Sequence, residues 1–138
     1  MQPIESRQTP VALNQILNYT HPRVVERHAH DHGVSQEVAA RRFEGLKQFL
    51  AIAAIVPGRK VTSQPIDAIW HTFLLFTKDY RGFCMDYLGR FVEHEPFEDA
   101  APWAYVYTRE RATALIGSLD PELWPVTAKA DCSSGCED

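Results

Sequence analysis

The stretch Ser63–Pro96, SQPIDAIWHTFLLFTKDYRGFCMDYLGRFVEHEP, decides the reading of this chain. It holds one of the three tryptophans, two of the six histidines and one of the three cysteines. Pro65 follows Ser63 closely, and a proline in the first turn of a helix surrenders an N–H that would have no partner there. Ile66, Ile69, Trp70, Phe73 and Leu74 then trace one broad apolar face at helical spacing. A second helix is expected from Thr77 or Lys78, carrying Tyr80, Phe83, Cys84, Tyr87 and Leu88 and stopping at Gly89. Phe91 and Val92 lead into a turn closed by Pro96.

Working outward, the same period recurs on both sides. Upstream, VALNQILNY after Pro10 reads as a short amphipathic helix. PRVVERHAHDH follows, with Thr20 as its expected cap and Gly33 as its end. Ser35 is placed to cap the next helix, where Val38, Phe43, Leu46, Phe49, Leu50 and Ala53 repeat at helical spacing. Arg41, Arg42, Glu44 and Lys47 fall mostly on its other side, and Pro57-Gly58 stops it. GRKVTSQP reads as a polar connection. Downstream, WAYVYTRERATALIG is a last long helix, with Trp103, Val106, Tyr107 and Leu115 as its expected inner face. Leu123 and Trp124 follow before Pro125. Strand-like alternation is almost absent, so the expected class is all-α: one compact bundle of about five or six helices around the Trp-His helix. Residues 1–9 are expected to be a flexible N-terminus, 10–126 the helical domain, and 127–138 a disordered tail carrying Cys132 and Cys136.

The chain has 138 residues, 45% of them hydrophobic and 23% charged, the size and balance of one globular domain. The net charge of −4, with Lys and Arg scattered among acids, argues against nucleic acid as a partner, because phosphate binding needs a basic patch. A protein or peptide partner fits better. No apolar run reaches the ~18–20 residues of a membrane span. MQPIESRQTP lacks the basic start and apolar centre of a signal peptide, so a cytoplasmic home is expected. Three widely split cysteines make no disulfide framework.

The chemistry concentrates on Asp67, Trp70, His71, Cys84 and His94. Asp67 and His71 are four apart and share a helical face, so the carboxylate can hold one imidazole nitrogen and leave the other for a ligand. His71, Cys84 and His94 supply three donors of the kind zinc takes, with a fourth position open or filled by Asp67 or Asp79. Asp67, Trp70, Asp79 and Tyr80 would stand around those ligands. The reading from residues is therefore a non-enzymatic binding or scaffold domain with a buried Asp-His-Cys-His cluster, in one version a structural zinc site. The alternative is a metal-dependent enzyme with Zn²⁺ or Fe²⁺ at His71, Cys84 and His94. In either case His71 is expected to face inward. His28, His30 and His32 read as a solvated run, with His28 and His32 on one face and able to hold a metal weakly. Cys132 and Cys136 in CSSGC have no role that their spacing forces.

Ile66, Asp67, Trp70, His71, Thr72, Tyr80, Cys84, Gly89, Arg90, Phe91, His94 and Pro96 together resemble the motif of the glycine-rich domain-containing protein-like family. Leu123-Trp124-Pro125 is similar to its closing motif, and the likeness spans about residues 20–126. Two positions depart from that pattern. Phe73 stands where many members have a second histidine, and Glu93-His94 stands where many have paired histidines. The resemblance implies the helical fold and little about function. The RNA link of the plant relatives is not carried to this acidic chain with seven glycines.

Overall fold

A computed structural model of the chain describes residues 13–95 and 102–126. The expectations for residues 1–9, for Pro96 and for the tail 127–138 with Cys132 and Cys136 lie outside the described residues. Within them, residues 13–18 are helical (α1), followed by α2 (Pro22–His32), α3 (Gln36–Ile55), α4 (Gln64–Leu75) and α5 (Thr77–Phe83). One π-helical turn, Cys84–Leu88, continues α5, and α6 (Pro102–Ile116) completes the bundle. The class is all-α, and no described helix is long and apolar enough to cross a membrane.

The longest helix, α3, packs against α2, α4 and α6. Ser35 starts it as expected, its hydroxyl accepting the Val38 N–H at 3.0 Å. Phe43, Leu46, Phe49, Leu50 and Ile52 are buried along it and meet Ile66, Ile69, Trp70 and Phe73 of α4 in one core. Each such side chain contributes roughly 1.5–3 kcal/mol by leaving water. Gly45 lets the layers close: a Cβ there would sit 3.0 Å from Leu123 Cδ1 and 3.2 Å from Ile66 Cγ1. Leu123 and Trp124 are buried where the chain returns, the indole N–H donating to Gln48 at 3.0 Å.

Four local expectations are corrected. The cap of α2 is His21 and not Thr20: its Nδ1 accepts the Val24 N–H at 3.3 Å while Nε2 meets Asp79 at 2.8 Å. Lys47 leaves the polar side of α3 and is 1% exposed. Its ammonium donates to the Leu17 and Tyr19 carbonyls at 2.8 and 2.6 Å, closing the end of α1. GRKVTSQP is not wholly polar surface, because Val61, Thr62 and Ser63 are buried. The inner face of α6 is Ala104, Tyr105, Thr108 and Ala112, whereas Trp103 and Val106 are exposed. α6 packs against α3, and Thr108 accepts the Val61 N–H at 3.0 Å.

Candidate functional site

Asp67 and His71 lie one turn apart on α4, and His94 comes from the non-helical segment 91–95. Gly89, at φ 81°, supplies the left-handed turn that ends the π-helical stretch and sends the chain back toward α4. Tyr80 then fastens the returning segment. Its hydroxyl accepts the Trp70 indole N–H at 3.2 Å and donates to the Val92 carbonyl. The Trp70 ring meets the His94 ring edge-on, with centroids 4.4 Å apart. Two buried aromatics thus hold the second imidazole in place.

The three polar tips converge. His94 Nε2 is 2.7 Å from Asp67 Oδ1 and 3.0 Å from His71 Nε2. His71 Nε2 is 3.6 Å from Asp67 Oδ2. A ring nitrogen carries one proton, so His94 Nε2 cannot donate to both neighbours. If His94 donates to Asp67, its proton is spent. If His71 donates to His94 instead, a bare nitrogen lone pair faces the carboxylate at 2.7 Å. The three atoms are close enough together to share one cation.

The exposures correct the expected picture. The His71 side chain is 58% exposed and does not face inward, and His94, at 19%, is the more enclosed imidazole. Cys84 is fully buried but stands apart from the group that brings Asp67, His71 and His94 together. Burial pushes its thiol up despite hydrogen bonds with the Val92 backbone and Tyr80. Asp79 is not beside these histidines; it pairs with His21. Tyr80 and Trp70 do flank the site, as positioning groups.

The same three tips line a cleft of about 690 Å³. Phe49, Trp70 and Phe91 supply aromatic wall, and Arg59, Lys60 and Arg90 supply positive charge. Sequence reasoning missed these cations as site residues: Arg59 and Lys60 lie in GRKVTSQP, read as a connection, and Arg90 follows Gly89. For Arg59 and Lys60 a signal was present, because basic residues just past a helix end are drawn to its free carbonyls. Arg90 donates to the Ala53 carbonyl at 3.1 Å and Lys60 to that of Val56.

His28 also departs from expectation. It is not solvated but fully buried between Thr72 at 3.2 Å and Arg42 at 2.9 Å. Burial, with His32 stacked 4.1 Å away and Arg42 alongside, lowers its pKa to about 4. Both its nitrogens are engaged, so His28 and His32 form a packed pair and not a metal site.

A family model described as UCP032817-like matches residues 11–102, about two thirds of the chain. No curated protein and no solved structure matches it significantly. The resemblance to the glycine-rich domain-containing protein-like family is thereby corrected, since nothing in these comparisons indicates that family. The chain belongs to the UCP032817-like family.

Proposed function

We propose that Asp67, His71 and His94 bind a divalent transition-metal ion, Zn²⁺ first, and that the protein is a metal-dependent enzyme acting on a small molecule in the adjoining cleft. The observation that carries this is the convergence of two imidazoles and a carboxylate at 2.7, 3.0 and 3.6 Å. Ligands at ~2.1 Å from a tetrahedral ion stand ~3.4 Å from one another, so the tips need move only by tenths of an ångström. Three protein ligands with a half-exposed histidine leave a position open to the cleft, unlike a closed structural site. An ion there would supply a water acidified to a pKa of ~7 and a Lewis acid for an oxygen of the substrate. Two histidines and one carboxylate also suit Fe²⁺.

The test is Zn²⁺ titration of untagged protein against a chromophoric chelator. One tight equivalent in the wild type, lost in His94→Ala and Asp67→Ala, is the expected result. No uptake above the chelator's own would overturn the reading.

A second reading, a non-enzymatic module for a protein or peptide partner, is favoured by α6. Trp103 is 64% exposed and Val106 43% exposed, three residues apart on one helix. An unchanged affinity for the native partner in Trp103→Ala would remove it. Both readings assign the protein to the cytoplasm, supported by its few scattered cysteines.

A further inference from the structure

Lys60 and Arg90 are drawn to one place by the end of α3, each satisfying a carbonyl there. The result is two like charges side by side in the cleft that holds the Asp67-His71-His94 group. Burial, and then the repulsion of Arg90, hold the Lys60 ammonium below the usual lysine range. Among the described residues neither cation forms an ion pair with a carboxylate. Glu93 and Glu95 also line the cleft, but they are exposed and flank His94. A guanidinium has five N–H donors, and Arg90 spends one of them on Ala53.

We propose that Lys60 and Arg90 form an anion subsite, so that the molecule taken into the cleft carries an oxyanion group, carboxylate or phosphate. The inference rests on the metal reading above for what happens at the other end of the cleft. The Arg90 fork matches two oxygens of such a group, and Lys60 adds a point charge. An incoming anion also relieves the repulsion between the two cations. The cleft, at about 690 Å³, lies within the ~300–1,000 Å³ of small-molecule sites, and its aromatic wall suits an organic body. The ligand class is a small organic anion whose charged end lies on Lys60 and Arg90 and whose reacting end reaches Asp67, His71 and His94.

The test uses full-length protein stripped of metal with a chelator and dialysed. Inorganic phosphate and, separately, acetate are titrated while amide and arginine Nε signals are followed by NMR. Saturable shifts at Lys60, Arg90 and Val92 are expected, and the tighter of the two probes names the group. Lys60→Met and Arg90→Gln should each weaken binding by about tenfold, the loss of one charge-assisted hydrogen bond. Arg90→Gln also removes a tie to α3; if it does not fold, Lys60→Met carries the test. Non-saturating shifts for both probes, or wild-type affinity in the folded variants, would overturn the anion subsite. Zn²⁺ titration of the same preparations separates the two ideas. Zinc bound without an anion response sinks the subsite alone, and an anion response without zinc binding sinks the metal reading alone.

Discussion

The hydroxyl of Tyr80 accepts the indole N–H of Trp70 at 3.2 Å, deep in the core. The same hydroxyl donates to the Val92 carbonyl, two residues before His94. A single phenolic oxygen therefore ties α4, α5 and the His94 segment together. Tyr80→Phe leaves a buried donor and a buried acceptor without partners. The expected cost is about 2–3 kcal/mol in equilibrium denaturation, together with weaker Zn²⁺ binding as His94 loosens. Wild-type stability in that variant would contradict the arrangement.

On the proposed reading, His71 matters for metal binding and little for stability. Its side chain is 58% exposed and sits at the mouth of the cleft. His71→Ala should therefore shift the folding free energy by no more than about 0.5 kcal/mol, while metal affinity falls sharply. A variant that melts well below wild type would restore the inward-facing picture that the sequence suggests.

Lys47 is a buried cation that closes the end of α1. It donates to Leu17 and Tyr19 carbonyls, meets Glu44 at 3.0 Å and lies over the Phe43 ring. Lys47→Met keeps the aliphatic stem and loses the donors, at an expected cost of about 2–4 kcal/mol. Hydrogen exchange should show residues 13–18 opening first. An unchanged denaturation midpoint would show that these carbonyls find other partners.

His28 sets an acid limb. Its pKa is about 4 in the folded chain against 6.5 for the free side chain, through burial first and then His32 and Arg42, with Asp31 opposing. Between those values the unfolded chain takes up a proton that the folded chain refuses. Stability should thus fall as pH drops from about 6.5 to 4, by on the order of 2–3 kcal/mol. Asp120 acts lower down. Burial raises its carboxyl, but Arg41 and the Glu122 N–H more than offset that and hold it below the usual range. Its contribution is present above pH ~4 and lost beneath it. His28→Gln should flatten the upper limb and leave the lower one. Identical pH profiles for the two proteins would refute this assignment.

Much of the fold was legible because helical period and caps are local signals. Ser35 before Val38, Pro65 after Ser63 and Gly89 after Leu88 mark helix ends without tertiary knowledge. The pairing of Asp67 with His71 was legible for the same reason. What depends on the arrangement of helices was not. Trp103 and Val106 look like a core face by size, yet the buried side of α6 is Ala104, Tyr105, Thr108 and Ala112, a face set by how the helix docks and not by residue size. Lys47 and His28 look solvated until a carbonyl pair and a threonine on other helices claim them. His71 was expected inside and His94 beside it with Cys84. The turn at Gly89 instead inserts His94 beneath an exposed His71, while Cys84 stays behind Tyr80 in the core.

On the proposed reading, Asp67, His71 and His94 form one nitrogen-and-oxygen metal centre that excludes Cys84. The most direct measurement is the absorption spectrum of metal-free protein titrated with Co²⁺. Visible d–d bands are expected that saturate at one equivalent, vanish in His94→Ala and persist in Cys84→Ala, with no thiolate-to-cobalt charge-transfer band. Bands that never saturate, or a thiolate band lost in Cys84→Ala, would contradict it.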